Sequence, residues 1–244
     1  MMTQSPVIRT AMILAAGYAT RLRPISTHMP KAMVPILGKP ILGYILDRLK
    51  EVNLEEVVIN SHHLADHLHQ YLARQTGIKI TLSEEKEILE TGGGVKQALP
   101  LLDNQPFYVI NGKIIWFNAS HNALRHLAGQ WDDTKMDVLL LLQPVIKAVG
   151  YHAAGDFHLF ADGTVKRRED GEVAPFVFSG IQIIHPRLFD TSPTGNFSLN
   201  VLYDQAMANQ RLYAVRHDGE WLHVSTPQDI KEVENYLKTK HRNG

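Results

Sequence analysis

MILAAGYATRLRPISTHMPKAMVP, residues 12 to 35, is the stretch whose reading decides the fold. An apolar run over residues 11–16 ends in Gly17, and Tyr18, Ala19, Thr20 and Arg21 change at once to loop chemistry. This pattern predicts a buried strand feeding a loop of small residues. Gly17 can take φ > 0 at the turn, and the small side chains of Ala15, Ala16 and Ala19 leave room for an anion to approach backbone N–H donors. Arg21 and Arg23 add forked guanidinium charge and Lys31 a point charge at the same mouth, as a polyphosphate site requires.

Neither common phosphate loop is present, because G-x-x-x-x-G-K-[ST] and G-x-G-x-x-G both fail to match residues 17–24. The stretch resembles instead the signature of sugar-1-phosphate nucleotidyltransferases, L-A-A-G-x-G-T-R-L-R-P followed by P-K-x-x-x-P. Here the two parts stand at residues 14–24 and 30–35, with Ala19 where the second glycine is usual. The resemblance implies that Leu14, Ala15, Ala16, Gly17, Ala19, Thr20, Arg21 and Lys31 bind nucleotide, with Arg21 and Lys31 holding the triphosphate.

Composition bounds the rest. The 244 residues carry 25 Lys plus Arg against 25 Asp plus Glu, so nothing in the net charge suggests nucleic acid or an anionic membrane as partner. No cysteine occurs, which removes disulfides, thiolate catalysis and Cys-based zinc sites together. Residues 1–10 are polar, the apolar run after them is too short for a signal peptide, and residues 138–142 fall far below a membrane span. The expectation is a cytoplasmic, single-domain protein over residues 1–244, a monomer or small homo-oligomer.

Outward from the loop, the chain alternates. Ile41, Tyr44, Ile45, Leu49 and Val52 recur at helical spacing, and residues 57–59 form a short β-branched strand. A helix over 64–74, a strand over 78–82, a helix over 94–102 and a strand over 107–110 follow. Such alternation predicts an α/β fold, Rossmann-like, with a mostly parallel mixed sheet flanked by helices. Ligands of such sheets sit outside the carboxyl ends of the strands, where Gly17, His62, Glu84 and Asn111 would emerge. The second half is richer in β: a strand over 136–145, a hairpin over 155–168 turning at Asp162-Gly163, and a strand over 175–184 whose interior Ser179-Gly180 marks a bulge or the close approach of a ligand. A helix over 197–208, extended chain over 212–224 and a helix over 227–239 complete the reading.

Three further motifs extend the resemblance. LETGGGV, residues 89–95, places three glycines before the expected helix; in the family this segment lies against the nucleobase, which assigns Gly92 and Gly93 to it. FVFSG, residues 176–180, matches the family's sugar-contacting strand, with Ser179, Gly180, Glu172 and Arg168 as sugar-phosphate candidates. Lys166, Arg167 and Arg168 fit either that role or a solvated charged hairpin. VINGKIIW places Asn111 and Gly112 between the two substrates.

The resemblance also implies Mg²⁺, held by an aspartate after N-G and a second aspartate in W-x-D-x-G-T-P. This chain has Lys113 at the first place and His223, in WLHVSTP, at the second. A lysine repels the ion: at about 4 Å, charges of +1 and +2 cost on the order of 8 kcal/mol at an effective dielectric of 20. Imidazole can bind metal but suits zinc or iron better than magnesium.

The resemblance therefore implies transfer of a nucleotide from a nucleoside triphosphate to a sugar 1-phosphate with release of pyrophosphate. Among its relatives the chain looks most similar to uridylyltransferases of N-acetylmuramate 1-phosphate, with mannose-1-phosphate guanylyltransferases second. The alternative is a protein of the same fold that binds nucleotide and sugar phosphate without turnover, its metal site lost at Lys113.

Overall fold

The computed structural model describes residues 8–242, so most of the polar N-terminal stretch lies outside the described residues. Strand β1 (Thr10–Leu14) lies between two parallel neighbours, β4 (Glu56–Ser61) and β6 (Phe107–Asn111), and β4 pairs in turn with β5 (Lys79–Glu84), also parallel. Short strands β2 (Pro35–Ile36) and β3 (Lys39–Pro40) close a two-stranded turn before helix α1 (Ile41–Lys50). Helices α2 (Ala65–Leu72) and α3 (Glu90–Ala98) follow β4 and β5.

Alternate side chains of β1 explain the layers. Ala11 and Ile13 join a core with residues of α1 and α2, while Met12 packs on the other face with Val95 and Ala98 of α3. Near-continuous apolar strands of this kind belong in a parallel sheet covered on both sides. All four strands end at one edge, with Leu14 beside Asn111 and Ser61 beside Glu84. That is the edge expected for a ligand.

Beyond β6 the sheet changes direction. Strand β7 (Ile114–Phe117) leaves the main sheet, helix α4 (Ala123–Gln130) follows, and β8 (Val138–Pro144) re-enters it. Helix α4 went unread in the sequence: its eight residues bury only Ala123, Leu124 and Leu127, too short a stripe to show periodicity, and its start is fixed by the Asn122 side chain accepting from Arg125 N (3.1 Å). The short β9 (Ala148–Val149) precedes the expected hairpin, β10 (Phe157–Leu159) and β11 (Val165–Arg167), with Gly163 at φ +85° in its turn. Strand β12 (Phe176–Ile184) is antiparallel to both β6 and β8, and its register shifts between Phe178 and Gln182, the bulge read from Ser179-Gly180.

Helix α5 (Leu199–Ala208) packs on α3. The extended chain predicted over 212–224 is two strands in two sheets: β13 (Leu212–Arg216) pairs with β8, whereas β14 (Glu220–His223) joins β7 and β9 in a separate three-stranded sheet. Helix α6 (Pro227–Arg242) closes the fold. Its first turn is tied by a reciprocal cap: Asp229 accepts from Ser225 N (2.8 Å), Thr226 N (2.9 Å) and Thr226 Oγ1 (2.7 Å), while Thr226 Oγ1 accepts from Asp229 N (3.2 Å). Among the described residues no helix is long and apolar enough to cross a membrane.

The loop after β1 corrects one expectation. Gly17 is not at positive φ; Ala19 is, at φ 50° and ψ 44°, where the family signature has its glycine. The conformation is held by Ser26 Oγ (2.8 Å) and Leu22 N (2.9 Å), both donating to Ala19 O. A residue with a Cβ costs roughly 1–2 kcal/mol in the left-handed region, partly offset by the greater chain entropy of an unfolded glycine. Ala19→Gly is therefore expected to stabilise the protein by about 0.5 to 1 kcal/mol. Urea unfolding checks it, and an unchanged or lower midpoint contradicts the assignment of strain to this residue.

Candidate active site

Two adjoining cavities open at the carboxyl edge of the sheet. The first, about 270 Å³, is walled by the loop after β1, by Asn60 and Glu85 behind β4 and β5, and by Glu90 and Thr91 at the start of α3. Leu14, Ala15, Ala16, Gly17 and Ala19 all line it, as do Lys31, Asn111 and Gly112. The second, about 250 Å³, lies between β12, β14 and the end of β6; Ser179, Gly180 and His223 line it together with Arg21. Asn111 and Lys113 belong to both walls, so the cavities meet at the turn between β6 and β7.

A buried hydrogen-bond chain fixes the first cavity. Asn60 Oδ1 accepts from Ala15 N (2.6 Å), Asn60 Nδ2 donates to Glu85 Oε1 (2.7 Å), and Glu85 Oε2 accepts from Leu89 N (3.0 Å). Asn60 and Glu85 are 2% and 5% exposed, which makes these bonds costly to break. The phosphate-loop candidate is thus tied to the segment that begins α3. Neither residue was singled out from the sequence, where a lone Asn after a β-branched run and one Glu among several carry no signal.

The glycines of LETGGGV have a different duty from the one expected. Helix α3 begins at Glu90, four residues before the expected start, and includes all three. Gly92 and Gly93 do not line the cavity; both N–H groups donate to Phe197 O (2.8 and 3.1 Å). A Cβ on Gly93 would stand 2.4 Å from the Gly195 carbonyl oxygen, and one on Gly94 2.6 Å from Glu85 Oε1. They let α3 approach its neighbours closely, which outweighs the low helix propensity of glycine. A Gly93→Val change would report on that packing rather than on a base.

Other candidates separate similarly. Thr20 lies outside both cavities, in the single turn Thr20–Leu22. Arg168 is turned away, its guanidinium donating to the carbonyls of Gly155 (2.9 Å), Glu169 (3.2 Å) and Glu172 (3.3 Å). The Glu172 carboxylate accepts from Glu169 N (3.0 Å) in the same hairpin end. Lys166 and Arg167 pair with Glu169 and Asp204 on the surface, the solvated reading of that charged run. The carboxylate that does face the second cavity is Asp156, which accepts from Phe178 N (2.9 Å). Gly180, at φ +81°, lies against Asn111: a Cβ there would meet Asn111 Nδ2 at 2.8 Å.

Positive charge dominates where the cavities meet. Lys31 Nζ (3.3 Å) and Arg21 Nη2 (3.5 Å) both donate to Ser225 Oγ, which sits 2.6 Å from His223 Nε2. The His223 imidazole is neutral, and its Nδ1 is buried without a hydrogen-bond partner among the described residues. Burial, then Lys113 and Lys31, push its pKa down to about 3. Burial, then Lys113 and Arg21, push Lys31 down to about 7 against a smaller opposing pull from Asp229. Lys113 is also lowered, by burial and by Arg21.

This donor set does not fit Mg²⁺. Position 113 offers an ammonium, His223 Nε2 is engaged by a hydroxyl, and both Asp229 oxygens are spent on the α6 cap. The described residues contain no group of three or more His, Cys, Asp or Glu side chains able to hold a metal. Hard oxygen ligands, which the ion demands, are missing from the place where the resemblance put them.

The model of the nucleotidyl transferase family matches residues 10–156. This chain belongs to that family. An N-acetylmuramate alpha-1-phosphate uridylyltransferase of Caulobacter vibrioides is 40% identical over 232 residues, covering 93% of this chain and 95% of that protein. The enzyme of the same name from Neisseria meningitidis serogroup B is 33% identical over 228 residues, with 92% and 96% covered. Mannose-1-phosphate guanyltransferase beta-A of Xenopus laevis is 28% identical over 228 residues, 90% of this chain and 62% of that one. A solved UDP-glucose pyrophosphorylase complexed with UDP-glucose shares the fold, with a TM-score of 0.78 at 18% identity over 96% and 99% of the two chains.

For a nucleotidyl transferase the depressed Lys31 has a measurable consequence. A bound phosphate favours the ammonium, so nucleoside triphosphate binding above about pH 7 must take up a proton. Affinity for a triphosphate is expected to fall as pH rises from 7 to 9, by up to about tenfold per unit. Lys31→Met should flatten that slope. Calorimetry in buffers of different ionisation enthalpy measures the proton directly, and a pH-independent affinity in the unaltered protein contradicts the assignment.

Proposed function

We propose that this chain transfers a uridylyl group from UTP to N-acetylmuramate 1-phosphate, releasing pyrophosphate. The observation that carries the reading is the pair of cavities meeting at Asn111 and Lys113, one beside the small-residue loop and one beside the β12 bulge. The choice of base and sugar rests on the two relatives so named, which match almost end to end. A guanylyl donor and mannose 1-phosphate are the second choice, since that relative is less similar and longer.

The chemistry asks little of the protein beyond alignment and charge compensation. An oxygen of the sugar phosphate attacks the α-phosphorus, the bond from that phosphorus to the α–β bridging oxygen breaks, and pyrophosphate leaves with the electron pair. The attacking phosphate is already anionic near neutral pH, so no general base is needed. Loop N–H groups next to Ala16 and Gly17, with Lys31, hold the triphosphate; Arg21, in the wall of the second cavity, meets the phosphates where the cavities join, and the bulge at Ser179-Gly180 and Asp156 receive the sugar. Asn111, pressed by Gly180, separates the two. No step is assigned to a metal ion, because the residues at positions 113 and 223 do not supply its ligands.

Pyrophosphate release is expected only when UTP and N-acetylmuramate 1-phosphate are both present, and faster with UTP than with GTP. In Mg²⁺, Lys113→Asp should raise the rate at least tenfold, about 1.4 kcal/mol of barrier, by restoring an oxygen ligand and removing a repelling charge. Binding of both substrates without release in either protein would instead support a substrate-binding protein without turnover. Absence of UTP binding contradicts both.

A further inference from the structure

Lys113 stands in the turn between β6 and β7, held at both backbone ends: its N–H donates to Asn111 O (2.8 Å) and its carbonyl accepts from Val224 N (3.2 Å). Its half-buried side chain therefore projects from a fixed base into the wall shared by the two cavities. The ammonium makes no hydrogen bond or ion pair with the described residues. The other two cations nearby are at least partly satisfied, since Lys31 and Arg21 both donate to Ser225. Asp156, the carboxylate that attracts Lys113, already accepts from Phe178 N. Asp229 is spent on the cap.

A half-buried cation whose three donors find no acceptor among the described residues, beside two further cations, is stabilised by an incoming anion. On the reading that the cavities receive a triphosphate and a sugar phosphate, the anions at this seam are the phosphates of both substrates. We propose that the Lys113 ammonium takes over the phosphate-holding duty of a divalent cation, so that this chain binds its nucleoside triphosphate without a metal ion. A point charge orients less strictly than a metal that bridges two oxygens, which is why binding without metal and slow transfer are compatible in one protein.

The test is calorimetric titration of UTP into the intact protein, once in EDTA and once in Mg²⁺, with no turnover required. The unaltered protein is expected to bind UTP as tightly in EDTA as in Mg²⁺, or more tightly, because the free tetra-anion carries more charge than its magnesium complex. Lys113→Gln and Lys113→Met should each weaken binding in EDTA by about tenfold or more, Lys113→Arg should retain it, and Lys113→Asp should bind appreciably only in Mg²⁺. UTP binding by the unaltered protein that is more than about threefold tighter in Mg²⁺ overturns the proposal, and this comparison needs no variant to fold. Binding in EDTA unchanged in folded Lys113→Gln overturns it too, while leaving the nucleotidyl transfer reading standing. A protein that binds UTP in neither condition fails that reading first, and the proposal with it.

Discussion

Parallel pairing of β1 between β4 and β6 is the constraint on which the rest of the molecule depends. Parallel strands cannot be joined by tight turns, so each must return over a face of the sheet, and every return leaves a loop at the same carboxyl edge. The register that sets Leu14 beside Asn111 brings the loop after β1 against the turn after β6, nearly a hundred residues later. Gly112 N donating to Leu14 O at 2.9 Å seals that junction, and a Cβ on Gly112 would come within 2.8 Å of the same oxygen.

Upon that edge the protein gathers three cations, Arg21, Lys31 and Lys113, where the two cavities meet. Lys113 and Arg21 lower the pKa of Lys31, Arg21 lowers that of Lys113, and all three lower that of His223, while the two aspartates in reach each accept from backbone N–H groups. A net charge of zero over the whole chain conceals this local clustering of cations. Burial magnifies it, because charges in a partly desolvated cleft act on one another through a lower effective dielectric than water. On the proposed reading, the energetic cost of assembling such a cluster is offset by the phosphates of the substrates, a common arrangement where function opposes stability.

Local rules and tertiary demands disagree most visibly at glycine and its substitutes. At Ala19 the loop keeps a left-handed conformation that glycine would adopt more cheaply, and two hydrogen bonds to Ala19 O hold it there. In α3 the reverse holds: three successive glycines are poor helix formers, yet the helix runs through them because Phe197, Gly195 and the Asn60–Glu85 pair come too close for any side chain.

The sequence by itself determined the alternating α/β order, the strand–loop at residues 10–21, the bulge at Ser179-Gly180, the hairpin turn at Asp162-Gly163 and the membership of a nucleotidyl transferase family. Those features are written in short-range patterns of hydrophobic period, turn chemistry and motif spacing. Only the tertiary structure decided that Asn60 and Glu85 brace the loop, that Asp156 rather than Arg168 or Glu172 faces the second cavity, and that the chain over 212–224 divides between two sheets. It also decided that His223 is held neutral by burial and by Lys113 and Lys31, and that Lys113 spans both cavities. The physical reason is range: each of these depends on which polar groups meet across tens or hundreds of residues, and a hydrogen bond between distant segments leaves no periodicity in the sequence that encodes it.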